Sequence, residues 1–187
     1  MDDQERYIIL EDTVRQSYAS IVWSHKIQEK QADIYAKQFK DMETLKIIAA
    51  SLTSAGIITT IFVDGLWLKI VASLLSFVTI YINSYFKSFN LQNLVSQHKS
   101  AANNLLRVRE RVLILLMQTK TQLKTISELS ADYDEIMGTL NAVYVDAPTT
   151  TDKAVSSASI ALKRAGDNTY SDEEIDNFLP KGLRKDD

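Results

Sequence analysis

The stretches IIAASLTSAGIITTIFV at residues 47–63 and LWLKIVASLLSFVTIYINSYF at residues 66–86 decide the fold class, because both are long and apolar. Lys69 is the single charged residue in the pair. A helix needs about 20 apolar residues, within a range of roughly 17–25, to cross the core of a bilayer. Asp64 and Gly65 separate the stretches and favour a polar turn. The pattern predicts a transmembrane helical hairpin.

The alternative is a hairpin buried inside a soluble helical bundle. Such a hairpin would be apolar on all sides, so other helices would have to cover it completely. The rest of the chain is amphipathic and charged, and it does not offer enough apolar faces for that purpose. The membrane interpretation is therefore favoured, and we expect an all-α membrane protein.

Composition limits the possible functions. The chain of 187 residues has 5 glycines and 2 prolines, which favours long helices over sheets. It has no cysteine, so disulfides, thiolate zinc sites and cysteine nucleophiles are excluded. The net charge of −3 argues against direct nucleic-acid binding by bulk electrostatics.

Basic residues near the apolar stretches predict the orientation of the hairpin. They lie on the outer sides of both stretches, whereas the connection carries only Asp64. Because positive charge is retained on the cytoplasmic side, both termini should be cytoplasmic. The basic residues are Lys30, Lys37, Lys40, Lys46, Lys87, Lys99, Arg107 and Arg109.

Two amphipathic segments flank the hairpin. Residues 1–46 are expected to form an N-terminal cytoplasmic helix and residues 87–147 one long cytoplasmic helix, whose apolar positions alternate by three and four residues as in a coiled coil. Thr119 and Gln122 interrupt this seam and could set register or mark a bend. The longer helix needs a further partner for its distal half, which could be a fold-back segment or a neighbouring subunit. Residues predicted to pack helices or hold an oligomer are Leu105, Val112, Leu115, Ile126, Leu129 and Ile136.

Residues 148–187 are expected to form short helices and an acidic tail. Pro148 should end the preceding helix, with Thr150 or Thr151 as the next N-cap and Gly166 as the following stop. Ser171 and Glu174 fit a capping box. Ile175, Phe178 and Leu179 form a small apolar face, which either belongs to a solvated tail or docks a partner.

No catalytic motif is present, so we expect no enzyme activity, no cofactor and no metal site. The chain lacks a glycine-rich phosphate loop and the GxSxG and HExxH motifs. Its two histidines, His25 and His98, are far apart and lie near apolar stripes, which favours core or interface positions.

Polar residues recur along the second apolar stretch at helical spacing. They are Ser73, Ser76, Thr79 and Asn83. Small hydroxyl residues promote close helix packing, which is one interpretation. The other is a polar stripe that lines a water-filled lumen in an oligomer, because Asn83 is costly to leave facing lipid. Asn83 could instead be satisfied across the hairpin.

Five segments together resemble a known family. They are VWSHKIQEKQADIY (22–35), LKIIAASLTSAGIITTIF (45–62), HKSAANNLL (98–106), DAPTTTDKA (146–154) and EEIDNFLPKGLRK (173–185). In order and spacing they resemble the SLATT proteins, two-transmembrane effectors associated with SMODS nucleotidyltransferases and SLOG domains in bacterial conflict systems.

The resemblance implies an effector of bacterial antiviral defence of the abortive-infection type. Such a protein would sit in the inner membrane and assemble into a homo-oligomeric pore, or otherwise breach the bilayer, when a partner signalling enzyme or a cyclic-nucleotide-type signal triggers it. The alternative is a non-conducting, membrane-anchored scaffold that recruits a partner enzyme. The family has no agreed catalytic residues, so none is assigned.

Overall fold

The computed structural model describes residues 2–62, 65–163, 166, 167 and 170–179, without the side chains of 60–62 and 86–88. All regular structure in this part is helical, which confirms the all-α prediction. Asp64, the Lys87 side chain, and Pro180 with the tail to Asp187 lie outside the described residues. The helices are α1 (Asp3–Phe62), α2 (Leu66–Ser88), α3 (Leu91–Lys120), α4 (Ile126–Asp146), α5 (Asp152–Lys163) and α6 (Asp172–Phe178).

The chain divides into two compact units, and α1 and α3 contribute to both. Met1–Lys30 and Ala101–Asp187 form the first unit, and Gln31–Ser100 forms the second. The core of the first unit is one apolar cluster in which α1, α3 and α4 each bury the stripe predicted from their spacing. Its buried members are Val14, Ile21, Leu105, Val108, Val112, Leu115, Leu129, Ile136 and Leu140.

The prediction of one long helix over residues 87–147 is wrong. The structure divides this segment into the end of α2, then α3 and α4, with a turn after Lys120. Gln122 in that turn has a φ of 51°, which a helix does not accommodate. Thr125 then begins α4 with a capping box, in which its Oγ1 accepts from the Glu128 N–H and its own N–H donates to Glu128 Oε2. The interruption of the seam therefore marks a bend.

Because of that bend, α4 folds back onto the chain itself. Hydrogen bonds join α1 to α4 at a nearly constant sequence separation: Ser17 to Tyr133 at 116 residues and Ser24 to Tyr144 at 120. A constant separation means that the two helices run parallel. Of the two partners left open for the distal half of the seam, the structure supplies the fold-back segment.

The seam residues consequently pack helices within one chain. Leu105, Val112, Leu115, Leu129 and Ile136 are buried in the core of the first unit, and Ile126 is half-buried. Side chains that are already covered inside one chain do not offer a free seam for a neighbouring subunit, so the sequence argument for oligomers from this seam no longer holds.

In the second unit, the end of α1 and α2 form a helical hairpin. Gln38 Nε2 donates to Tyr85 Oη at 2.6 Å, and a Cβ placed on Gly56 would lie 3.7 Å from Ala72 Cβ. The later contact on α1, at residue 56, meets the earlier residue on α2, residue 72. The two helices are therefore antiparallel. Ala49 and Ile82 are buried in this unit, and the rings of Tyr35 and His98 lie 5.5 Å apart.

Candidate functional site

Much of the apolar surface of α2 is left uncovered by the described part of the chain. Leu66–Tyr85 has 20 residues and a mean hydropathy of 1.7, and 6% of it is buried. A core helix of a soluble protein would be mostly buried. Among the residues that the structure describes, this is the one stretch with both the length and the hydropathy of a membrane span. The first stretch of the predicted hairpin, as far as Phe62, forms the end of α1.

The four polar residues predicted to line a path fall into two pairs. Ser76 and Thr79 are half-buried, and their hydroxyls donate to the carbonyls of Ala72 and Leu75 at 2.9 and 3.0 Å. Ser73 and Asn83 are exposed. Asn83 makes no hydrogen bond within the described part of the chain. The possibility that the hairpin itself satisfies Asn83 stays a prediction, because the side chains of 60–62 and 86–88 lie outside the described residues.

A second candidate region is a buried polar cluster in the first unit, which the sequence analysis missed apart from His25. Lys26 Nζ lies 2.7 Å from Glu29 Oε2 and 3.4 Å from Asp167 Oδ2. The Lys26 side chain is 9% exposed, whereas the two carboxylates are 41% and 40% exposed. His25 Nε2 lies 3.7 Å from Glu29 Oε1. Glu29 therefore faces both basic side chains, and Asp167 adds a second anion to Lys26.

Burial and charge act in opposite directions on the two basic groups. Burial lowers the pKa of Lys26, but the hydrogen bonds and charges of Glu29 and Asp167 outweigh it and leave that pKa raised. Burial lowers the pKa of His25 and dominates over the opposing effect of Glu29, with Arg109 and Lys26 lowering it further. His25 is therefore neutral at pH 7, and its buried Nδ1 has no hydrogen-bond partner among the described residues.

Helix α5 and the residues after it bring Asp167 to this cluster. Thr151 Oγ1 accepts from the Ala154 N–H at 3.4 Å and begins α5, as the sequence predicts. Gly166 has a φ of 67°, the left-handed conformation that ends helices, and the Asp167 N–H donates to the Ala161 carbonyl at 3.1 Å. The predicted helix stop at Gly166 is confirmed, and it positions the Asp167 carboxylate.

The cluster has the chemistry of an ion-pair network. It contains one lysine, one neutral histidine and two carboxylates. No group of three or more potential metal ligands occurs among the described side chains. His98, the other predicted core histidine, is buried in the second unit, and burial lowers its pKa. The arrangement is suited to holding segments together.

The predicted docking residues lie in α6 and at its C-cap. Ile175 is 42% exposed and Phe178 is 82% exposed, and Leu179 is half-buried. Ser171 and Glu174 form the predicted capping box, so the start of α6 is confirmed. No residue of α6 is buried, and its apolar face is left open by the described part of the chain.

One comparison with known proteins identifies a family. The family model described as SMODS and SLOG-associating 2TM effector domain family 4 matches residues 10–174. No curated protein and no solved structure gave a match. The matched range includes the described hairpin helices, the α1–α3–α4 core and α5. The chain therefore belongs to family 4 of the SMODS and SLOG-associating 2TM effector domains.

Proposed function

We propose that this protein is a membrane effector of bacterial antiviral defence, which breaches the inner membrane as a homo-oligomeric pore when a partner enzyme or nucleotide signal triggers it. In this proposal residues 47–63 and 66–86 both cross the bilayer, and both termini are cytoplasmic. Membership of a family of 2TM effector domains supports the two spans. The pore, its trigger and the defence role are the proposal.

Asn83 carries the pore proposal. Its carboxamide is exposed on a predominantly apolar helix, and no hydrogen bond joins it to another described residue. Leaving an amide without a partner in an apolar medium costs roughly 2–7 kcal/mol. Water in a lumen, or the same residue of another copy, would remove that cost. Either arrangement requires several copies around the Asn83 face.

The hydroxyls near Asn83 limit where the lumen wall can lie. Ser76 and Thr79 satisfy their own donors on the backbone of α2, so they are tolerated against lipid or against a helix. Asn83 has no such local solution, and Ser73 is exposed on the same helix. We therefore place Asn83 toward the lumen together with Ser76 and Thr79, which lie seven and four residues before it on the same side of α2, and assign Ser73 to the margin.

Dye leakage from liposomes tests the role of Asn83. We expect wild-type protein to release the dye, and Asn83→Leu to insert equally well but release much less. Phe77→Leu is the matched control, because Phe77 is 74% exposed on the same helix and is apolar. Wild-type leakage by an inserted Asn83→Leu variant would contradict the lumen assignment. Candidate cyclic nucleotides are added in parallel to locate the trigger.

The second candidate function is a non-conducting scaffold that recruits a partner enzyme through α6. The exposed side chains of Ile175 and Phe178 favour it. A double Ile175→Asp, Phe178→Asp variant separates the two functions. A scaffold would lose all activity in cells, whereas a pore would retain leakage in liposomes. Absence of leakage by inserted wild-type protein under every condition would favour the scaffold.

A further inference from the structure

Three contacts join α5 and its flanks to one short part of α1. Gln28 Nε2 donates to the Pro148 carbonyl at 3.2 Å just before α5. The Lys163 ammonium lies 5.5 Å from the centre of the Trp23 ring at the end of α5. Lys26 pairs with Asp167 at 3.4 Å beyond it. All three partners on α1 fall within residues 23–28, inside the first compact unit.

The buried face of α5 consists of small side chains. Ala154, Ala158 and Ala161 are 0%, 0% and 7% exposed, and they are the buried residues of this helix. The α1–α3–α4 core instead buries leucine, isoleucine and valine side chains. Because hydrophobic stabilisation follows the apolar area removed from water, α5 is held less firmly than those helices. A helix of 12 residues is also marginal without tertiary contacts.

Polar contacts therefore contribute more to holding α5 on α1 than they do for the helices of the α1–α3–α4 core. One of them is the Lys26–Asp167 pair, in which a buried ammonium faces a half-exposed carboxylate. Opening α5 removes Asp167 but leaves Glu29 at 2.7 Å, so Lys26 does not become an isolated buried charge. This second carboxylate makes the open state accessible without unfolding of the core.

We propose that α5 with Asp167 is a clasp that opens as a unit from residues 23–28 of α1, and that the closed clasp restrains the membrane activity of the protein. The restraint rests on the proposed function, whereas the opening itself does not. The open clasp separates Trp23 from Lys163 and Lys26 from Asp167. Elements that move in regulation come from the least stable parts of a fold, and α5 meets that description.

Hydrogen exchange of the full-length protein in lipid nanodiscs tests the opening. Asp167→Asn should accelerate exchange of the α5 amides by about tenfold or more, while the α4 amides keep their wild-type rates. Asp134→Asn is the matched control, because Asp134 is an exposed acid on α4. Acceleration of α3, α4 and α5 together would overturn the proposal, because α5 would then not open separately. Unchanged α5 exchange would overturn it as well.

Liposome leakage tests the restraint. The chain has no cysteine, so Trp23→Cys with Lys163→Cys provides a single pair for a short, reducible dithiol cross-linker. We expect Asp167→Asn to increase leakage. The cross-linked protein should leak less than each single-cysteine variant treated in the same way. Reductant should restore the leakage of the cross-linked protein. Equal leakage by open and cross-linked forms would overturn the restraint while leaving the pore proposal intact. Absence of leakage from all inserted forms would overturn the pore and the restraint together, and exchange would still decide whether the clasp opens.

Discussion

The Tyr7 hydroxyl on α1 donates to the Lys124 carbonyl in the turn between α3 and α4 at 2.8 Å, across 117 residues. Lys124 also pairs its ammonium with Asp132 Oδ2 at 2.6 Å, and Gln122 donates to Gln4 at 3.1 Å. The N-terminal residues of α1 thus bind the loop between α3 and α4, at which the chain reverses direction. The bend in the seam is stabilised from outside the seam itself.

Removing the Tyr7 hydroxyl should weaken the first unit. Tyr7→Phe leaves the Lys124 carbonyl without this donor, and we expect the free energy of unfolding to fall by about 0.5–1.5 kcal/mol. Denaturant unfolding of the protein in detergent micelles, followed by circular dichroism, measures the change. Tyr170→Phe serves as the control, because the Tyr170 side chain is 68% exposed. Equal effects of the two substitutions would contradict the role of the hydrogen bond.

The backbone at Gln122 should discriminate strongly among residue types. Its φ of 51° is open to glycine at little cost and unfavourable for a β-branched side chain. We expect Gln122→Val to lower stability by roughly 1–2 kcal/mol, and Gln122→Gly to be better tolerated although it also loses the contact with Gln4. Thermal unfolding of the two variants side by side provides the comparison. A valine variant as stable as the glycine variant would show that the turn readjusts.

Close approach of the hairpin helices should limit residue size at Gly56. A Cβ there would meet Ala72 Cβ at 3.7 Å, an ordinary contact, so Gly56→Ala should pack normally. Gly56→Leu places a branched side chain in the same gap and should force α1 and α2 apart. Cysteine pairs placed across the hairpin near this site would cross-link efficiently in the alanine variant and poorly in the leucine variant. Equal cross-linking would show that the helices do not meet at Gly56.

Acid should destabilise the protein through its two histidines. Burial lowers the pKa of both His25 and His98 from the ordinary value of 6.5, so the unfolded chain binds protons more readily than the folded chain. The stability that the neutral histidines contribute is present above pH 6.5 and is lost as the pH falls through the lowered values. Glu29, Lys26 and Arg109 are the charged groups that act on His25.

Unfolding measured between pH 7.5 and 5 checks this sign. We expect stability to decrease with acidification and the slope to become shallower in His98→Gln. Lys99→Gln, which changes an exposed neighbour, is the control. A slope that His98→Gln leaves untouched would place the acid sensitivity elsewhere.

Local signals in the sequence predicted the C-terminal region well. Thr151 begins α5, Gly166 adopts the left-handed conformation after it, and Ser171 caps α6 with Glu174. Each depends on residues within a few positions, where the physical chemistry of helix ends operates. The start of α4 had the same kind of signal in Thr125 and Glu128, but the continuous apolar seam concealed it.

Long-range polar contacts had no such signal. The pairing of Lys26 with Asp167 depends on the turn before α4 and on the stop after α5, and no spacing rule connects the two residues. Asn83 was recognised as costly from its position alone, but its exposure depends on which face of α2 meets α1, and that requires the packing at Gly56 and Ala72.

The fold-back of α4 has a consequence for assembly. A chain whose α1–α3–α4 seam is already closed on itself leaves that seam unavailable to another copy, so the homo-oligomer that we propose would form mainly through the hairpin. Assembly of that proposed oligomer would be a two-dimensional process, governed by the number of copies per area of membrane more than by the amount of protein in the cell. Crowding into a small patch of bilayer would by itself favour the assembled state.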